Sequence, residues 1–149
     1  MTQWVLVTGG AKRLGRCMSE AFAQAGWGVA VHYSQSQADA QALCAALRAA
    51  GVAAPAVHGT LDSAEAVAQL FEAAQAAMGG PAQAIVCNAS LFEPDTGRAM
   101  QPDLLMQQLQ VNLAAPMQLG SLLAKAHAAQ PARDVAQPAP SLVHVLDQK

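Results

Sequence analysis

Short apolar runs recur along the chain, separated by longer alanine-rich stretches whose larger apolar residues come every three or four positions. The runs "WVLV" (4–7), "VAVHY" (29–33), "APAVHG" (54–59), "AIVCN" (84–88) and "LVHVL" (142–146) have the length of strands. Several are apolar without alternation, as expected where both faces of a strand are covered.

Between them the spacing predicts helices. The first, over about 13–25, sets Leu14, Met18, Phe22 and Ala25 on one face and ends before Gly26. A second, over about 36–50, carries Leu43 and Leu47 and stops at Gly51. A third, over about 63–78, carries Val67, Leu70 and Phe71 and runs into Gly79 and Gly80. The fourth starts near Pro102, a good first-turn residue, and continues to about His127 with a kink expected at Pro116. A Pro/Gln/Ala stretch (130–140) loops to the last strand. Strand–helix alternation of this kind argues for a parallel sheet with helices on both faces. Right-handed crossovers then restrict the α/β topology to a doubly wound parallel sheet of Rossmann type, with five strands here.

Composition narrows the partners. The chain has 149 residues, 53% hydrophobic and 12% charged, which suits one domain with a substantial core. Net charge is −2, with only eight lysines and arginines, so there is no broad basic face for nucleic acid. Cys17, Cys44 and Cys87 are far apart and read as reduced core residues of a cytoplasmic protein. The start lacks the pattern of a signal peptide, and no run of about 18 apolar residues is uninterrupted, so no membrane span is expected. His32, His58, His127 and His144 have no metal-ligand spacing and read as structural or cofactor-adjacent.

The candidate chemistry begins in "WVLVTGGAKRLGR" (4–16). In a doubly wound sheet the turn after the first strand borders the ligand crevice. Gly9 and Gly10 let the backbone turn tightly, Gly15 lets the helix pack on the strand, and the first helical turn offers unpaired N–H groups to an anion. Either a phosphate site or an ordinary glycine-rich turn fits this stretch alone.

TGGAKRLG, with "CNAS" after the fourth strand and "VNLAAP" in the fourth helix, resembles the short-chain dehydrogenase/reductase family over essentially the whole chain. Arg13 stands where the usual family turn has its middle glycine, and that substitution resembles pteridine reductases, in which the arginine is a cofactor-side residue. A guanidinium suits a phosphate through paired donors. On its residues alone, Arg13 could equally be a surface side chain, although a cation there opposes the helix dipole.

The resemblance implies a nicotinamide dinucleotide held by Gly9, Lys12, Arg13, Leu14 and Gly15. The second strand ends "VHYSQS", with no acid before Asp39, so nothing at its end repels a 2′-phosphate and NADP(H) is expected. His32, Tyr33, Ser34 and Ser36 fall on the cofactor side in this reading, and Lys12 stands where NADP-preferring members often carry a base. Ser36 also reads as the N-cap of the second helix. Gln35 replaces an arginine of the pteridine reductase pattern. Leu61 and Asp62 fall beside the adenine by resemblance, and Asp62 also reads as a helix cap.

At the reaction end, Asn88, Ala89 and Ser90 match the family's small-residue turn beside the cofactor. Phe92 matches a phenylalanine that stacks on a pterin, with Ser90 beside it as a second substrate-side residue. Apart from the resemblance, Phe92 reads as core. Asn112 matches the asparagine around which the fourth helix bends and a proton-relay water is ordered. Asp147 stands where most members end the fifth strand with a catalytic serine, which suits protonation of a ring nitrogen. It also reads as an acidic strand end in a loop.

The family delivers its proton from a tyrosine followed four residues later by a lysine. Tyr33 is the only tyrosine and lacks that lysine, and the sequence reaches Lys149 before the matching segment. Residues 1–149 are therefore expected to be the NADP-binding Rossmann-type domain of a truncated reductase, inactive by itself. The reductase expected is cytoplasmic, acts on a small molecule, a pterin or related C=N compound, and forms a dimer or tetramer when full length. A carbonyl reductase of the same family and a non-catalytic NADP-binding module are the alternatives.

Overall fold

The computed structural model describes residues 2–93, 98, 100–130 and 139–146. Five strands, β1 (Trp4–Val7), β2 (Gly28–Tyr33), β3 (Ala56–His58), β4 (Ala84–Cys87) and β5 (Ser141–His144), form one sheet in the order β3-β2-β1-β4-β5. Every pairing is parallel. The helices are α1 (Arg13–Gln24), α2 (Gln37–Ala49), α3 (Ala64–Met78), α4 (Pro102–Leu109) and α5 (Ala115–Ala128), with a π-helical turn (Gln110–Ala114) joining the last two.

The unalternating apolar strands serve two cores, because successive side chains point to opposite faces. Leu6, Ala30, Val57 and Ile85 face the layer of α3 and α5, packing with Val67, Leu70, Phe71, Leu119 and Leu123. Val5, Val7, Val29, Val31 and Val86 face the layer of α1 and α2, packing with Ala23, Ala40, Leu43 and Leu47. Strand order reverses between β1 and β4, so the crevice for a ligand opens at the carboxyl ends of those two strands.

Three expectations change. The buried stripe of α1 is Gly15, Ser19 and Ala23, while Leu14 is exposed. Small residues at four-residue spacing bring this helix close to the β1 turn, and Met18 and Phe22 pack from its flank. The long fourth helix is interrupted before Pro116, not at it. Ala115 N–H reaches back five residues to Gln110 O, and the proline then sits in the first turn of α5, where its missing N–H costs least. Of the cysteines, Cys44 and Cys87 are buried but Cys17 is exposed on α1. Burial pushes the Cys87 thiol up to about 11 and raises that of Cys44.

All four residues of β5 are exposed, as befits a sheet edge. Among the described residues no helix is long and apolar enough to cross a membrane.

Candidate functional site

The crevice is built around the turn that leaves β1. Thr8 Oγ1 accepts from the N–H groups of Asn88 and Ala89, both at 3.0 Å, and donates to Val86 O at 3.3 Å. Asn88 Nδ2 donates to the carbonyls of Thr8 and Gly9, each at 3.1 Å. The ends of β1 and β4 are thereby locked side by side. Gly9 has φ +60°, and a Cβ on it would meet the Ala89 backbone at 3.1 Å. A Cβ on Gly15 would overlap the Gly9 carbonyl, so α1 starts directly against the turn. Ser19 Oγ lies 3.1 Å from Gly10 O and 2.9 Å from Gly15 O, its single hydrogen serving one carbonyl at a time.

From beneath, Gly9 N–H donates to His32 Nδ1 at 3.1 Å and Gly10 N–H to His32 O at 3.0 Å. His32 Nε2 bonds Gly59 O at 3.2 Å. An acceptor Nδ1 and a carbonyl facing Nε2 require the neutral ring protonated on Nε2. Burial supports that state, lowering the His32 pKa to about 4. His32 thus stands under the turn with both ring nitrogens engaged, and its neighbour Tyr33 tilts its ring against His58 at 5.3 Å.

Arg13 opens α1 with φ +49°, the left-handed region, and is the one such non-glycine residue among those described. Lys12 occupies the N-cap with extended backbone but makes no capping bond, so among the described residues the first turn of α1 has no side-chain cap. Its ammonium reaches Asp39 Oδ2 in the first turn of α2 at 2.9 Å. Ser34 is exposed and Ser36 half-buried; Ser36 holds the N-cap position of α2 without a side-chain capping bond.

At α3 the cap is Ser63, not Asp62. Ser63 has extended backbone and its Oγ accepts from Ala66 N–H at 3.1 Å, whereas Asp62 Oδ1 accepts from Thr60 Oγ1 at 2.7 Å. Leu61 is buried in the core, and its carbonyl accepts from Gln110 Nε2 at 3.3 Å.

Beyond β4, Asn112 in the π-helical turn clasps the chain. Its Oδ1 accepts from Leu91 N–H at 2.8 Å and its Nδ2 donates to Leu91 O at 2.7 Å. This fixes the backbone between Ser90 and Phe92. Phe92 is 64% exposed, so it is not a core residue. Asp147 lies outside the described residues. Among those described, no three His, Cys, Asp or Glu side chains come together as metal ligands.

The structure therefore brings Gly9, Gly15, Asn88 and Ala89 together where β1 and β4 end, with Lys12, Arg13 and Leu14 on the segment between the two glycines and Ser90 next to Ala89. Sequence reasoning missed Ser19, the partnership of Asp39 with Lys12, and the Thr8 lock; only Thr8, at a strand end before paired glycines, carried a local signal.

The chain matches the short chain dehydrogenase family over residues 3–134. Among solved structures it is similar to FolM alternative dihydrofolate reductase 1 from Brucella canis complexed with NADP. Identity there is 33% and the TM-score 0.78, covering 83% of this chain and 48% of that one. A short chain dehydrogenase from Burkholderia cenocepacia in complex with NADP shows 28% identity and a TM-score of 0.78, over 83% and 50% of the two chains. The landomycin C-6 ketoreductase LanV with bound NADP and rabelomycin shows 25% identity and a TM-score of 0.79, over 83% and 53%. The chain spans about half the length of these structures. No curated protein matches it.

Proposed function

This chain belongs to the short chain dehydrogenase family, and we propose that it forms the NADP(H)-binding part of a reductase acting on a pterin or a related C=N substrate. The observation that carries the reading is Arg13, held in a left-handed conformation at the mouth of the crevice beside Lys12. A fold that retains a strained arginine where glycine would be relaxed has a use for its guanidinium. The residues fit the cofactor: the N-terminus of α1 has no side-chain cap, and Gly9 leaves the crevice floor bare.

In this reading Arg13 and the first amides of α1 hold the dinucleotide phosphates, with Leu14 and Gly15 closing that end. Lys12, Ser34 and Ser36 take the 2′-phosphate, and Asp62 lies beside the adenine. The backbone of Asn88, Ala89 and Ser90 runs along the nicotinamide half. Phe92 offers its exposed ring to a flat heteroaromatic substrate. Asn112 orders the proton path by fixing the backbone opposite it, and Asp147 serves as the acid. Bound there, the reduced nicotinamide supplies the hydride. A cytoplasmic homo-oligomer, dimer or tetramer, is part of the proposal on family grounds alone.

A carbonyl reductase is the second reading, favoured by the likeness to a ketoreductase. Titration of NADPH followed by energy transfer from Trp4 and Trp27, then titration of the NADPH complex with a dihydropterin and with a polycyclic ketone, tests both. Pterin binding to the complex supports the first reading and ketone binding the second. NADPH binding with neither marks a cofactor-binding module, and absence of NADPH binding overturns all of them.

A further inference from the structure

The end of β2 carries no acid, yet one carboxylate stands a helical turn further on. Asp39 lies in the first turn of α2, where the helix dipole favours it, and its Oδ2 is 2.9 Å from Lys12 Nζ. Lys12 is at the N-terminus of α1, where a cation meets the adverse end of a dipole. The pair therefore spans the two loops at the carboxyl ends of β1 and β2. In the proposed reading Arg13 is taken up by the dinucleotide phosphates. Arg16 is bound to Glu20 at 2.8 Å and feels the Asp39 charge from farther off, so Lys12 is the cation in direct contact with Asp39.

In a doubly wound sheet the adenosine ribose lies over the end of the second strand, so a 2′-phosphate would enter between these loops. We propose that Asp39 determines dinucleotide specificity: its carboxylate competes with the 2′-phosphate for the Lys12 ammonium and so narrows the preference for NADPH over NADH. This rests on the cofactor reading above. A phosphate dianion and a carboxylate repel each other across one ammonium, so binding the first must displace the second. NADH, with a hydroxyl in that place, leaves the ion pair undisturbed. Both side chains are about half exposed, 56% and 46%, so water and salt limit the effect to a modest factor.

The test is calorimetric titration of the full chain with NADPH and NADH, for wild type, Asp39→Asn, Asp39→Ser, Lys12→Met and the double variant Lys12→Met/Asp39→Asn. Both Asp39 variants are expected to bind NADPH about fivefold more tightly and NADH unchanged. The gain should shrink in high salt and, with competition for the ammonium removed, fall to the part due to direct repulsion in the Lys12→Met background. Weaker NADPH binding by the Asp39 variants would mean that Asp39 orients the ammonium onto the phosphate, and overturns the proposal. An equal change for both dinucleotides, or a gain undiminished by Lys12→Met, overturns it too. If wild type binds NADPH and the Asp39 variants match it, this inference alone fails. If wild type binds no dinucleotide, the cofactor reading fails with it.

Discussion

Gly9 donates its backbone N–H to His32 Nδ1 at 3.1 Å, so the turn leaving β1 rests on a ring from β2. The bond exists only while His32 is neutral. Burial lowers its pKa to about 4 from an ordinary 6.5. The unfolded chain therefore binds this proton more readily than the folded one. The stability it contributes is fully present above pH 6.5 and is lost as pH falls towards 4, by about 3 kcal/mol in all. Urea unfolding midpoints measured between pH 7 and pH 4.5 should fall accordingly. In His32→Gln the part of that slope above the carboxylate range should flatten; an unchanged slope would show that His32 does not titrate with unfolding.

Arg13 gives a prediction in two parts, because its backbone and its side chain pull in opposite directions. A left-handed non-glycine residue costs about 1–2 kcal/mol, so Arg13→Gly should raise stability by about 1 kcal/mol. Arg13→Ala keeps the unfavourable φ of +49° and should leave stability nearly as it is. Both variants lose the guanidinium and should weaken NADPH binding about tenfold at low salt and less at high salt. Thermal melts and dinucleotide titrations separate the two effects. Equal stability in the two variants would remove the strain argument.

The same contrast between local pattern and three-dimensional contact explains how much was legible beforehand. β1, β2 and β4 announced themselves as continuous apolar runs because each is covered on both faces, as the split of Val5 and Leu6 between two cores shows. For α1 the large residues misled: Leu14 is 54% exposed while Gly15, Ser19 and Ala23 are buried, since closeness to the turn selects small side chains. Asp62 and Ser63 are both good caps by type, and only the extended backbone at Ser63 decides between them. The Lys12–Asp39 pair and the Asn112–Leu91 clasp join residues that no periodicity connects. Arg13 was visible as a departure from a glycine pattern, but its φ was not.

Asn112 and Leu91 offer a check on how the substrate side is held. The amide makes two hydrogen bonds to one residue's backbone, at 2.8 and 2.7 Å, in a half-buried place. Asn112→Ala leaves both Leu91 groups without that partner and should cost about 1–3 kcal/mol. Asn112→Asp keeps the acceptor for Leu91 N–H but turns a second acceptor towards Leu91 O, and should cost a similar amount. Hydrogen exchange separates them: the Leu91 amide should exchange much faster in the alanine variant and stay protected in the aspartate variant. Fast exchange in wild type would show that the clasp is open in solution.

Phe92 is the residue on which the substrate reading turns. Its ring is 64% exposed on the segment that follows β4, just beyond the backbone fixed by Asn112. A pterin stacked on that ring would lose about 1 kcal/mol or more of binding with the ring removed, roughly a fivefold or larger loss. NADPH affinity should be unchanged, because in the proposed reading the dinucleotide is held at Gly9, Arg13 and Asn88. Phe92→Tyr, which keeps the aromatic face, should retain pterin binding. Equal loss of pterin and NADPH binding would make Phe92 a structural residue of the crevice, and unchanged pterin binding would move the substrate face elsewhere.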